Sequence, residues 1–316
     1  MSNVRFSIVV PVFNEEEVIH ESYKRLKEVM DSTKESYELI FINDGSRDRT
    51  YEILNEISEA DNNVRILDFS RNFGHQVAIS AGMDYATGAA VVVIDADLQD
   101  PPQIILKMIE KWKEGFDVVY GKRSKRKGET LFKKMTAKLY YRILTNMTTV
   151  DIPTDVGDFR LIDRKVCEVM KNLTEKSRYV RGLISWVGFK QTAVEYEREE
   201  RFAGETKYPL VKMLRLAADG ITSFSYKPLK LASYLGFTVS FFSFIFLLYV
   251  AYQKLFTNDT VQGWASLIAV SVFMNGVMFI FLGIMGEYIG RIFEESKSRP
   301  LYIVKNEIGF DKKRDV

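Results

Sequence analysis

Asp95 and Asp97 stand one residue apart. They follow four consecutive β-branched apolar residues, Val91-Val92-Val93-Ile94, and precede Leu98-Gln99-Asp100-Pro101-Pro102. An apolar run of this kind predicts a strand buried on both faces of a parallel sheet. Ligands of open α/β sheets bind at the carboxyl ends of the strands, so the two acids occupy a ligand's position. Carboxylates are hard oxygen donors that suit Mg²⁺ or Mn²⁺ carrying a phosphate-bearing substrate. Taken alone, an Asp-x-Asp pair reads as a solvated acidic turn. The strand before it and the long apolar segments downstream favour the binding reading.

The elements that would position the acids alternate along the first part of the chain. Strand patterns cover Phe6–Val12, Tyr37–Ile42, Val64–Phe69, Ala90–Ile94 and Asp117–Gly121. Helix patterns cover Glu15–Met30, Arg49–Ala60, His75–Ala86 and Gln103–Lys113. This rhythm predicts an α/β, Rossmann-like, mostly parallel sheet. No Gly-x-Gly-x-x-Gly follows the first strand and no Gly-Lys-Ser/Thr loop occurs, which disfavours a dinucleotide site and a P-loop. The strand ends are polar instead: Pro11-Val12-Phe13-Asn14-Glu15-Glu16, Asn43-Asp44-Gly45-Ser46, Ser70-Arg71-Asn72-Phe73-Gly74, Asp95-Ala96-Asp97 and Gly121-Lys122-Arg123. Each tip alone reads as helix capping or turn chemistry. Five on one rim outline a cleft.

The 316 residues carry a net charge of +2, so bulk charge gives no sign of a nucleic-acid partner. The single cysteine, Cys167, excludes an internal disulfide and a Cys-rich zinc site and suits a reducing compartment. The N-terminus shows no signal-peptide pattern. Leu231–Tyr252 and Gly263–Gly286 contain no charged residue, and each is near the roughly 20 residues that cross a bilayer as a helix. The expectation is two transmembrane helices, about 231–253 and 263–287. Lys227 and Lys230 precede the pair and Arg291, Lys297 and Arg299 follow it, which by the positive-inside rule places the N-terminal domain and both termini in the cytoplasm at the plasma membrane. Tyr208–Tyr226 mixes apolar residues with Lys212, Arg215 and Asp219, as an amphipathic helix on the membrane surface or one packed on the soluble domain would. The expected organisation is therefore a catalytic domain over 1–207, an interfacial region over 208–230, the helix pair within 231–290 and a cytoplasmic tail over 291–316. Gly236, Gly276, Gly283, Gly286 and Gly290 permit close helix contact and self-association as a dimer or tetramer.

The blocks Pro-Val-Phe-Asn-Glu-Glu, Asn-Asp-Gly-Ser, Arg-Asn-Phe-Gly and Asp-Ala-Asp-Leu-Gln-Asp-Pro-Pro, in this order, resemble glycosyltransferase family 2 with a GT-A fold. Gly157-Asp158-Phe159-Arg160-Leu161, Arg201-Phe202-Ala203-Gly204-Glu205-Thr206-Lys207-Tyr208 and the two apolar segments resemble its polyprenyl-phosphate glycosyltransferase branch. The resemblance implies a nucleotide diphosphate sugar as donor, UDP-glucose favoured, a polyprenyl phosphate lipid as acceptor, and inversion at the anomeric carbon. It implies that Pro11, Asn14 and Glu15 line the nucleoside pocket, that Asp44 holds the base or ribose, and that Asp95, Asp97 and Gln99 face a divalent cation, Mg²⁺ or Mn²⁺. Glu15 also suits the first turn of a helix on electrostatic grounds alone. Asp158 is the candidate catalytic carboxylate and Asp155 its competitor; either acid could instead pair Arg160. Arg201 and Lys207, with Arg123, are the candidate phosphate-binding cations, and the basic run from Lys122 to Lys138 reads either as a solvated loop or as attraction to anionic headgroups. His20 and His75 have no metal-spaced partner and receive no ligand role. A processive polysaccharide synthase on the same fold would carry Gln-x-x-Arg-Trp, which is absent. A non-catalytic membrane scaffold remains the reading from a different class.

Overall fold

A computed structural model of the protein describes residues 4–124, 156–176, 178–198, 227–256 and 263–310. The elements run β1 (Phe6–Val12), α1 (Ile19–Ser32), β2 (Tyr37–Asn43), α2 (Thr50–Ala60), β3 (Val64–Phe69), α3 (His75–Tyr85), β4 (Ala90–Val93) and α4 (Ile104–Lys113). They continue with β5 (Val118–Arg123), β6 (Val156–Asp163), α5 (Arg164–Lys171), α6 (Val180–Trp186), β7 (Gln191–Tyr196), α7 (Lys227–Phe256), α8 (Trp264–Ser296) and β8 (Val304–Ile308). One eight-stranded sheet has the order β7-β5-β6-β4-β1-β2-β3-β8.

β1, β2, β3 and β4 are mutually parallel, as the βαβ rhythm predicts. Every residue of β1 and β2 is buried, which explains their near-continuous apolar sequence. Alternate residues face opposite layers. Phe6, Ile8 and Val10 pack with Ile19 and Leu26 of α1, Leu54 of α2 and Met108 of α4, while Val9 packs with Ala78 and Ile79 of α3 and Val166 of α5. The sheet is thus covered on both faces.

No strand was expected at β6, which enters between β4 and β5 and runs antiparallel to both. Because it opposes both neighbours, β5 points the same way as β4. The carboxyl end of β5 and the start of β6 therefore lie at the rim where β1, β2 and β4 end, and this inserted strand places Asp158 beside Asp95.

The segment expected as a tail contains β8, which pairs antiparallel with β3 and caps that edge of the sheet. Tyr302 stacks on Phe69 at 5.2 Å, Tyr85 Oη donates to Glu307 at 2.6 Å, and Asn306 Nδ2 donates to Asp68 at 3.2 Å. The end of α8 is held near the same domain, since Lys176 donates through its backbone N–H to Glu295 at 2.7 Å and through Nζ to the Arg299 carbonyl at 2.5 Å. Within α8, Phe273–Ser296 is long and apolar enough to cross a bilayer, the one such segment among the described residues. The described apolar stretch of α7, Ala232–Phe246, is shorter. The expected pair of spans is therefore supported at one helix only.

Gly88 shows how closely the turn before β4 approaches β1. A Cβ there would lie 2.7 Å from the Ser7 backbone nitrogen and 2.8 Å from the Phe6 carbonyl carbon. Backbone atoms of a central strand cannot yield as a side-chain tip can. Gly88→Ala is expected to destabilise the catalytic domain by about 2–3 kcal/mol, read as a lowered thermal or denaturant midpoint; an unchanged midpoint would show that the turn relaxes freely.

Candidate active site

The rim is built from the strand ends. At the end of β1, Asn14 adopts a left-handed backbone with φ 54°. Its N–H donates to Ser46 Oγ at 3.0 Å, and its Oδ1 accepts from Arg47 N–H at 2.8 Å. Glu15 N–H donates to Thr50 Oγ1 at 2.9 Å, so the β1 and β2 tips are laced together. Pro11 is buried within β1, opposite Ile42. At the end of β2, Asp44 is almost fully buried and accepts from the N–H groups of Phe73, at 2.7 Å, and Gly74, at 3.0 Å. Burial pushes its carboxyl above the usual range, and the two N–H donors oppose this. A carboxylate has about four acceptor positions, so Asp44 organises the β3–α3 turn and keeps capacity for a ligand.

At the end of β4, Asp97 Oδ1 accepts from Gln99 N–H at 3.1 Å across Leu98, whose φ is 58°. This local turn, ended by Pro101-Pro102, aims the acids out of the sheet. Asp95 Oδ1 is buried and accepts no hydrogen bond, with His75 Nε2 3.5 Å away. The Asp95 side chain as a whole is 30% exposed, so the orphaned oxygen faces inward while the group still borders the cleft. Burial raises its pKa to about 6, His75 opposes the rise, and Asp158, Asp97 and Asp100 add to it. An orphaned oxygen among clustered acids is a donor set that fits a hard divalent cation. Among the described residues no three His, Cys, Asp or Glu side chains already converge on one point. A cation held by Asp95 and Asp97 would therefore complete its shell with water and substrate oxygens, the usual state of Mg²⁺.

His75, the first residue of α3, lies between the two carboxylate centres, its Nε2 3.3 Å from Asp158 Oδ2. Burial works against its charge, but Asp95 and Asp158 outweigh this and push its pKa up to about 9, so it is an imidazolium at neutral pH. Asp158 does not pair Arg160. Arg181 of α6 forks onto it instead, Nε to Oδ1 at 2.8 Å and Nη2 to Oδ2 at 3.0 Å. Gln76 Nε2 adds a third hydrogen bond at 3.1 Å. Burial alone would raise the Asp158 pKa, but Arg181 and His75 hold it well below the ordinary carboxylate range. Arg160 is buried and donates through Nη2 to the Gly157 carbonyl at 2.9 Å, and burial lowers its pKa to about 10.

Arg123 completes the arrangement. Its Nη2 lies 3.7 Å from Asp100 Oδ1, and its Nε donates to Tyr196 Oη at 3.4 Å. Tyr196 donates to Asp100 at 2.5 Å, and Arg198 Nε also lies 3.7 Å from this carboxylate. A Cβ on Gly157 would stand 2.9 Å from Arg123 Nη2. The absence of a side chain at Gly157 thus leaves room for the Arg123 guanidinium.

Of the residues singled out in the sequence, Asp95, Asp158 and Arg123 gather at one rim with Asp97 and Gln99, and Pro11, Asn14, Glu15 and Asp44 lie at its β1–β2 end. Asp155, Arg201, Lys207, the segment 208–226 and the basic run from 125 to 138 lie outside the described residues. His75, Gln76, Asp100 and Arg181 were not anticipated. His75 and Gln76 follow the Arg-Asn-Phe-Gly block directly, so their place at a strand-end rim was a usable signal. Arg181 offered none.

Comparison with known proteins identifies the family. The sequence pattern of Glycosyl transferase family 2 matches residues 7–170. An uncharacterized glycosyltransferase of Bacillus subtilis, YkcC, is 65% identical over 312 residues, covering 99% of this chain and 97% of that protein. An uncharacterized glycosyltransferase of Synechocystis is 45% identical over 98% of this chain and 97% of its own length. The bactoprenol glucosyl transferase of Shigella phage SfV is 44% identical over 96% of this chain and 99% of its own length. With a family pattern spanning half the chain and relatives matched along nearly all of it, this protein belongs to glycosyl transferase family 2 and is a glycosyltransferase.

Proposed function

We propose that the protein transfers a single sugar, glucose from UDP-glucose by preference, to polyprenyl phosphate at the cytoplasmic face of the plasma membrane. The observation that carries this reading is the meeting, at one rim, of a carboxylate pair with an orphaned oxygen and a set of partly buried cations. The acids suit a metal-bound pyrophosphate, and the cations suit a second anionic group beside it. The near-full-length likeness to a protein named bactoprenol glucosyl transferase supports a lipid phosphate as that second group.

Bound at Asp95 and Asp97, with Gln99 alongside, Mg²⁺ or Mn²⁺ would neutralise charge on the departing nucleotide diphosphate. The chain's own residues do the rest. Pro11, Asn14, Glu15 and Asp44 form the nucleoside end of the cleft. Arg123, braced by Asp100 and Tyr196, offers a fixed guanidinium to phosphate oxygens. Asp158 stands on the acceptor side in this reading, together with Asp155, Arg201 and Lys207, the candidates that the sequence resemblance implies. A phosphate oxygen of the acceptor forms the new bond to the anomeric carbon while the bond to the pyrophosphate oxygen breaks, inverting that centre. The nucleophile is already ionised near neutral pH, since the second phosphate ionisation lies near pKa ~6, so positioning and charge relief are the main tasks.

Two membrane helices, about 231–253 and 263–287, would hold the cleft at the lipid surface. The exposed apolar side chains along both helices, among them Phe237, Phe246, Leu267 and Phe279, support lipid contact. The contacts between the end of α8 and the catalytic domain support a hairpin that returns to the cytoplasmic side.

Membranes containing the full chain, given a panel of labelled UDP- and GDP-sugars with polyprenyl phosphate and Mn²⁺, are expected to form an organic-extractable, mild-acid-labile product from UDP-glucose. Labelling by a different sugar nucleotide would correct the donor. Labelling by none would overturn the proposed reaction.

A further inference from the structure

The group around Asp158 permits a finer assignment, which rests on the transfer reaction proposed above. We propose that Arg181 receives the phosphate of the acceptor, and that Asp158 is a positioning residue that holds Arg181 in place and does not act as a general base.

Asp158 is only 6% exposed, and its oxygens are already engaged. Oδ1 accepts from Arg181 Nε at 2.8 Å. Oδ2 accepts from Arg181 Nη2 at 3.0 Å and from Gln76 Nε2 at 3.1 Å, and His75 Nε2 lies 3.3 Å from the same atom. A general base needs a free lone pair within reach of the proton it removes. Here donors converge on a group with about four acceptor positions, and the neighbouring cations keep it ionised. An anionic phosphate nucleophile, moreover, brings no proton that must be abstracted.

Arg181 is placed to do what Asp158 cannot. Of its five N–H groups, two point at Asp158 and one, from Nη1, donates to the Val156 carbonyl at 3.1 Å. Two remain, and the side chain is 26% exposed. A guanidinium fixed by a bidentate carboxylate is a preorganised planar fork, the geometry that phosphate binding rewards. Gln76 strengthens the bracing. Its Nε2 donates to Asp158 while its Oε1 accepts from the N–H of Val180, the residue before Arg181, at 3.0 Å. One amide thus ties the start of α3 to both members of the ion pair. Arg123 is drawn instead to Asp100 and Tyr196, so among the described residues Arg181 and His75 are the cations in contact with Asp158, and of these two only Arg181 offers a planar fork.

The test uses the full chain in detergent or lipid nanodiscs with UDP-glucose, Mn²⁺ and a short-chain polyprenyl phosphate. Arg181→Lys keeps the charge pair and loses the fork, and is expected to raise the acceptor KM about 10-fold. Arg181→Gln should raise it about 100-fold, with UDP-glucose affinity within about 2-fold of wild type in both. Asp158→Asn should also act on the acceptor KM, and the double variant Asp158→Asn/Arg181→Gln should be no more than about 3-fold worse than Arg181→Gln alone, because residues acting as one unit are not additive. A base role makes the opposite forecast: Asp158→Asn lowers kcat at unchanged acceptor KM and multiplies with Arg181→Gln, and that result overturns the proposal. If Asp158→Asn fails to bind UDP-glucose through misfolding, Arg181→Lys decides alone, and an unchanged acceptor KM there is equally fatal. A wild-type protein that labels no polyprenyl phosphate with any donor refutes the proposed reaction itself, a different outcome from an active wild type with an indifferent Arg181.

Discussion

Asp97→Asn is expected to abolish sugar transfer, lowering turnover by about 10³-fold or more, while the thermal midpoint hardly moves. The asymmetry follows from where Asp97 sits. Its side chain borders the cleft, and an Asn Oδ1 accepts the Gln99 N–H equally well. That hydrogen bond therefore survives, and substitutions of partly exposed groups usually cost little stability. At the proposed metal site, what disappears is a negative charge that would face a divalent cation, and without that cation the charge developing on a leaving nucleotide diphosphate would have no close counterion. Asp95→Asn should be as damaging to transfer but not silent in stability, because Asp95 also faces the His75 imidazolium at 3.5 Å. Incorporation of labelled sugar into lipid, measured with a Mn²⁺ titration, checks both variants. Undiminished incorporation by Asp97→Asn would remove the metal site from this rim.

Ending the chain at Pro300 should lower the melting temperature by about 10 °C or more and promote aggregation in detergent. The lost segment carries β8 and two aromatic anchors, Tyr302 stacked on Phe69 and Phe310 packed edge-on against Tyr85 at 5.1 Å. Burial of such side chains stabilises by about 1.5–3 kcal/mol each, and in a domain of this size each kcal/mol corresponds to roughly 2–4 °C. Removing β8 also uncovers β3, and an unpaired edge strand is a template for association between chains. Tyr302→Ala isolates the anchor from the ladder and should cost about 2–4 kcal/mol. A truncated chain that melts within about 2 °C of the full one would show that β8 is dispensable.

The elements up to β5 were legible in the sequence, and those after it hardly at all. β1 falls at its expected bounds because a strand buried on both faces is nearly continuous in apolar residues, and β3 does so although it carries Arg65 and Asp68. The expected first helix begins four residues too early, since Glu15–Val18 forms a turn tied to Thr50 and Asp48. β6 escaped notice because its sequence, Val-Gly-Asp-Phe-Arg-Leu-Ile-Asp, includes a buried Asp158 and Arg160 that belong to the site. β8 reads Val-Lys-Asn-Glu-Ile, a charged edge strand with no apolar alternation to betray it. The site followed the same division. Asp95, Asp97 and Arg123 were readable because they end strands that were themselves readable. His75 and Arg181 depend on contacts with Asp158 across the inserted strand, and no local spacing encodes such a contact. The glycosyltransferase reading rested on six ordered blocks, and the family comparison bears it out.

The position of β8 in the chain also sets an order of events during synthesis. Its residues follow both long helices, yet it pairs with β3, an element of the first 70 residues. A ribosome adding about 5–20 residues per second leaves β3 with one open side for on the order of 10 s after β7 has emerged. During that interval α7 and α8 leave the exit tunnel, and on the proposed topology they would enter lipid then. The sheet is therefore completed last, after both long helices have been made. A chain interrupted before β8 would leave the β3 edge unpaired.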